Sequence, residues 1–168
     1  MRLVILALVS VIAASCAKNS LDIKNFNMHM FSDDVNFVER NLKCASTYKT
    51  DEFDVVNNEI FRCSNSSGSV FLEIESDGNN SEDILRASLI WKEWYDDLNP
   101  RQSQVEARQY AAVFSKLYLN DRELEFVDSL FNDIPYTFTN IVYDVETDVS
   151  EKRLYTLRTA EVTFKKAD

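Results

Sequence analysis

Residues 141–164, IVYDVETDVSEKRLYTLRTAEVTF, decide the fold class. Ile141, Tyr143 and Val145 alternate with Val142, Asp144 and Glu146, the period-two pattern of a strand with one dry face. A polar stretch near Asp148–Lys152 reads as a turn. The chain returns through Tyr155, Leu157, Ala160, Val162 and Phe164. The apolar phase changes parity between Leu157 and Ala160, which predicts a bulge or a strand covered on both faces. An isolated hairpin is marginal in water, so this one needs further strands and a covering layer.

Both requirements are legible upstream. Glu59–Ser64 and Ser69–Ser76 read as two strands flanking the turn-rich Asn65-Ser66-Ser67-Gly68. Thr47–Asn58 is polar, with room for a short strand. In 84–95, Leu85, Ala87, Leu89 and Trp91 alternate as in a strand, while Ile84, Ser88 and Trp91 also fit a helix; the strand is favoured. Phe31, Val35, Val38 and Leu42 recur at helical spacing, with Asp33 and Asp34 at the start and Arg40 and Lys43 at the end, as the helix dipole prefers. A second helix starts at Asn99-Pro100 and carries Val105, Ala112, Val113 and Leu117. A third runs from Asp121, with Leu124, Val127, Leu130 and Phe131 inward, and stops before Pro135. The expected class is α+β: an antiparallel sheet of about four to five strands with helices packed on one face, in the order α-β-β-(β)-α-α-β-β. In topology alone this order resembles the small acidic type III secretion chaperones, which are cytosolic.

The address comes from the other end. Met1-Arg2, an apolar run through Ile12 and small residues at 13–15 have the plan of an export leader. The run is too short to span a bilayer core of about 30 Å. Ala13-Ala14-Ser15-Cys16 resembles the lipobox of bacterial lipoproteins, although Ala13 stands where that family usually has Leu. The resemblance implies cleavage before Cys16, acylation of its sulfur, and a membrane partner held through that lipid. Ala17, not being Asp, implies the periplasmic side of the outer membrane. Ordinary cleavage after Ala17 is the alternative, giving a soluble periplasmic or secreted protein, inhibitor-like or host-directed. The expected division is a leader at 1–15, a polar tether at 16–30 and one domain at 31–168.

Lipidation or cleavage removes Cys16 from folding and leaves Cys44 and Cys63 as an even pair in an oxidising space. A disulfide is expected, with free buried thiols as the alternative. It would pin the exit of the first helix to the sheet. The spacing matches no zinc pattern, and the single histidine, His29, cannot complete one.

Composition narrows the function. Without residues 1–15, 28 Asp and Glu face 17 Lys and Arg (18 less Arg2), a net charge of −11. That excess repels phosphate backbones, so nucleic acid is not an expected partner. Only two glycines, Gly68 and Gly78, argue against phosphate-cradling loops and the nucleotide cofactors they hold. No cofactor is expected. No Gly-x-Ser-x-Gly elbow exists, and His29 beside Met28 and Met30 reads as a bystander. Asp144, Glu146 and Asp148 share one strand face, but an EF-hand loop starting at Asp144 would have Val149 and Tyr155 where it needs Gly and Glu. Asn65 and Asn79 open sequons that matter only in a eukaryotic host. The best ligand candidate is Trp91, Trp94 and Tyr95 with Asp96 and Asp97, where aromatic faces beside carboxylates suit cationic groups or sugars. Buried core aromatics explain the same letters. The expectation is a non-catalytic binding or assembly module in the cell envelope, with an envelope protein as its partner; a hydrolase is the less favoured alternative.

Overall fold

The structure, a computed structural model, describes residues 29–51 and 58–165. The leader, Cys16, the Ala17 cleavage site and the tether as far as residue 28 lie outside the described residues.

The chain is α+β, and among the described residues it is built on one seven-stranded antiparallel sheet. Helix α1 (Phe31–Asn41) leads into β1 (Ala45–Asp51), β2 (Asn58–Ser64), β3 (Val70–Asp77) and β4 (Asn80–Trp94). Then come α2 (Pro100–Tyr118), a 3₁₀ turn (Asn120–Arg122), α3 (Glu123–Phe131), β5 (Thr137–Thr139), β6 (Tyr143–Glu151) and β7 (Tyr155–Phe164). The strand order is β1-β2-β3-β4-β7-β6-β5, so each half is a meander and the two halves join where β4 pairs with β7.

Seven strands replace the expected four to five, and the element order becomes α-β-β-β-β-α-α-β-β-β. The two additional strands had no period-two signal. In β1, residues 45–50 are all exposed, so neither face selects apolar side chains. Strand β5 has three residues, too few to show a period. The stretch 84–95 is strand, and β4 begins earlier than expected because Asp77-Gly78-Asn79 folds it back on β3.

One sheet face is apolar and lies under the helices. Phe61 and Cys63 of β2, Val70, Leu72 and Ile74 of β3, and Ala87, Leu89 and Trp91 of β4 are buried there. Ala160 and Val162 of β7 and Tyr143 and Val145 of β6 continue the layer. Their cross-strand pairing (Cys63 with Leu72, Leu72 with Leu89, Leu89 with Ala160) places them in rows on one side. Helix α1 covers them with Phe31, Val35 and Val38, and α2 with Ala107, Tyr110, Ala111, Phe114 and Tyr118. Phe126 of α3 stacks on Phe114 at 5.4 Å.

Two helix-facing assignments change. Val105 is 50% exposed and Leu124 86% exposed. The stripe on α2 follows Ala107, Tyr110, Phe114 and Tyr118, where small and aromatic residues supply the apolar spacing. The parity switch in β7 is not a bulge, since β6 and β7 stay in unbroken register. Tyr155 and Leu157 lie half-buried on the far face, while Ala160 and Val162 belong to the core. The irregularity falls instead between β3 and β4 at Glu75/Ser76.

Cys44 and Cys63 form a disulfide with their Cα atoms 5.4 Å apart. It ties the segment between α1 and β1 to β2, and Cys63 is fully buried.

Candidate functional site

The five residues expected to form a ligand patch occupy different surroundings. Trp91 is in the core, 1% exposed, with Phe131 at 4.6 Å and the Arg158 guanidinium 4.5 Å above its ring. Trp94 lies three residues on and so projects from the opposite sheet face, against Tyr155 at 4.8 Å. Tyr95 is 60% exposed, and its backbone N–H donates to the Leu154 carbonyl at 3.1 Å. Asp96 is exposed. Asp97 accepts from the Asn99 backbone N–H at 2.8 Å and so shapes the entry to α2. Trp94 and Tyr95 thus sit at one end of the sheet, where the Thr156 hydroxyl donates to the Tyr95 hydroxyl at 3.3 Å, while Trp91 is separated from Trp94 by the sheet itself.

What sequence reading missed around Trp91 is a buried cation. Arg158, 7% exposed, donates to Glu93 at 2.5 Å and to Asp133 at 2.8 Å. Glu93 and Asp133 are 65 and 25 residues away in sequence, so no local pattern announces the cluster. A buried guanidinium needs such partners, since desolvation of an unpaired charge costs several kcal/mol.

A second buried polar chain lies at the other end of the sheet. His29 Nδ1 donates to the Asp34 carboxylate at 2.9 Å, and the Tyr118 hydroxyl donates to the same carboxylate at 2.9 Å. The Tyr143 hydroxyl donates to the Tyr118 carbonyl at 2.7 Å. A carboxylate only accepts, which places the imidazole proton on Nδ1. His29 Nε2 is buried with no hydrogen-bond partner among the described residues. The ring packs among Tyr118, Tyr143 and Phe164. His29 and Met30, expected to close the tether, lie against the domain, and Met30 forms an isolated bridge with Asp83. Asp34, read as a helix-dipole residue, is 5% exposed and serves as the acceptor of this chain.

These tyrosines give a measurable signature. Burial raises Tyr118 well above the usual phenol value, with the Asp34 charge adding to it. Burial likewise pushes Tyr110 and Tyr143 up to about 12. In the unfolded chain they ionise near pH 10, so folding is favoured while all are neutral. That contribution is fully present below pH ~10 and is lost as pH rises from there through about 12. Spectrophotometric titration should leave these three protonated at pH ~11 in the native protein, while all seven tyrosines ionise in urea. Identical native and denatured curves would contradict the buried assignment.

The remaining surface with functional character is the sheet face that carries no helix among the described residues. Its β2–β4 half is charge-paired: Arg62 with Glu73, and Arg86 with Glu75. The Arg62 guanidinium also lies 4.5 Å from the Phe71 ring, and Lys92 lies 5.5 Å from it on the same residue. A depression of about 240 Å³ runs between these pairs. The β6–β7 half is acidic. Glu146 and Glu161 stand directly opposite each other, an unfavourable like-charge cross-strand pair. Asp144 is held by Lys165 at 3.1 Å, and hydrogen bonding to Lys165 lowers its pKa. A second depression, about 520 Å³, lies over these carboxylates and Thr159 and Thr163. Among the described residues no group of three His, Cys, Asp or Glu side chains is placed to hold a metal ion, and no helix is long and apolar enough to cross a membrane.

No protein-family model, no curated protein and no solved structure matches the chain. Its function is therefore argued from this geometry.

Proposed function

We propose that the chain is a lipid-anchored cell-envelope protein, held through Cys16, that acts as a binding or assembly module for another envelope protein. The observation that carries the reading is the one-sided layering of the domain. Among the described residues, helices cover one face of a seven-stranded sheet, and the other carries charged rows and the Trp94–Tyr155 ring pair, Trp94 exposed and Tyr155 half-buried. The depressions on that face are lined mainly by charged and hydroxyl side chains, a lining suited to a charge-complementary protein surface more than to a mostly apolar small-molecule site. The Cys44–Cys63 disulfide supports an oxidising compartment, and the leader with its lipobox-like end supports the route there.

Two experiments test the two halves of the proposal. Cells expressing the chain and fed a palmitate analogue should label it, and Cys16→Ser should abolish the label. A labelled Cys16→Ser protein, or an unlabelled wild type, rejects the anchor and favours cleavage after Ala17. A photo-crosslinking residue at Trp94 or Glu161 should trap one protein species in intact cells, whereas the same residue at Lys116, exposed on α2, should trap none. Equal trapping at all three positions rejects the helix-free face as the contact.

A further inference from the structure

The two edges of the sheet are treated differently. Strand β5, at one edge, has three residues, and such shortness is a common protection against stray pairing. Strand β1, at the other, runs seven residues from Ala45 to Asp51 with no proline and in unbroken register with β2. No described residue pairs with its outer edge. Its middle, Thr47-Tyr48-Lys49-Thr50, is rich in strand-forming residues and exposed throughout. The disulfide at Cys44 fixes where the strand starts, so its free N–H and C=O groups are held extended. Helix α1 packs mainly on β2, β3 and β4, and its Glu39 carboxylate accepts a hydrogen bond from the Tyr48 hydroxyl of β1. A long, regular edge of this kind, with no proline and Lys49 as the one cation in it, can serve as a template for strand addition.

We propose that β1 is a dimerisation edge, pairing antiparallel with β1 of a second copy to make one continuous sheet across a two-fold axis. Charge and ring placement select the second copy and the register. Centred on Tyr48, the pairing sets Lys49 opposite Thr47 and Thr50 opposite Ser46 of the second copy, and no like charges meet. Centred one residue later, it would oppose two Lys49 ammonium groups, which is unfavourable. The Tyr48 centre also brings together two rings that each lie 53% exposed against their own Phe61, at 5.4 Å. The row Phe61, Tyr48, Tyr48, Phe61 then crosses the joint as packed cross-strand aromatic pairs. A two-fold axis requires such self-complementarity, and β1 satisfies it without any other element. The inference does not depend on the lipid anchor.

Two measurements on the full domain, in a Cys16→Ser background, decide it. Sedimentation of the otherwise unsubstituted protein should give twice the chain mass at micromolar concentration. Under mild oxidation Tyr48→Cys should form a disulfide-linked dimer, because the axis places residue 48 opposite itself within disulfide reach. Thr47→Cys and Lys49→Cys should each stay uncrosslinked alone and crosslink when mixed. A monomeric mass, crosslinking of Thr47→Cys to itself, or no crosslink in a folded Tyr48→Cys protein overturns the proposal. A monomer that instead binds an extended peptide along β1 overturns it in favour of a different occupant.

Discussion

Trp91→Ala is expected to destabilise the domain by about 3–5 kcal/mol, the range for emptying a buried aromatic site. Trp91 is 1% exposed and fills the space between β4, Phe131 and Arg158. Its removal leaves a cavity that Leu89 and Phe131 cannot close without moving the backbone, and it uncovers the Arg158 guanidinium. For a domain of this size the melting temperature should fall by roughly 10 °C. Trp94→Ala supplies the control. Trp94 is 37% exposed and touches Tyr155 from the helix-free side, so its loss should cost under about 1 kcal/mol. Urea denaturation of both variants separates core from surface. Equal and small losses would return Trp91 to the ligand patch in which the sequence first grouped it.

Reducing the Cys44–Cys63 disulfide is the second large effect. The bridge spans 19 residues. In the chain-entropy model, closing such a loop stabilises the fold by about 3 kcal/mol, chiefly by restricting the unfolded chain. With a urea m-value near 2 kcal/mol/M, the midpoint should fall by about 1.5 M after reduction. Cys44→Ala with Cys63→Ala should reproduce the loss, with a further increment because Cys63 is fully buried in the sheet face under α1 and α2. A midpoint that reduction leaves unmoved would show that the bridge adds no restraint beyond the β1–β2 ladder. Loss of the bridge should also loosen β1, whose side chains have no buried face of their own.

Much of this architecture is a local matter, and local matters are legible. Hydrophobic period two marked β2, β3, β6 and β7, and the Asn99-Pro100 start placed α2 within a residue. The cysteine count, once an export leader was read, paired Cys44 with Cys63. Where burial does not shape the sequence the reading fell short: β1 is wet on both faces, β5 is too short to alternate, and Leu124 is apolar yet outward.

By itself the sequence determined the α+β class, the disulfide pair and the acidic surface, because apolar periodicity, cysteine number and charge are properties of neighbouring or countable residues. Only the tertiary structure decided which aromatics belong together. Trp91 and Trp94 are three residues apart, yet a strand turns them to opposite faces, one beside Phe131 and one beside Tyr155. Arg158 pairs with Glu93 and Asp133, and Tyr118 with Asp34, across 25 to 84 residues of chain. Such contacts exist because burying a charge or a polar hydrogen requires a partner, and packing, not sequence order, determines which partner is within reach.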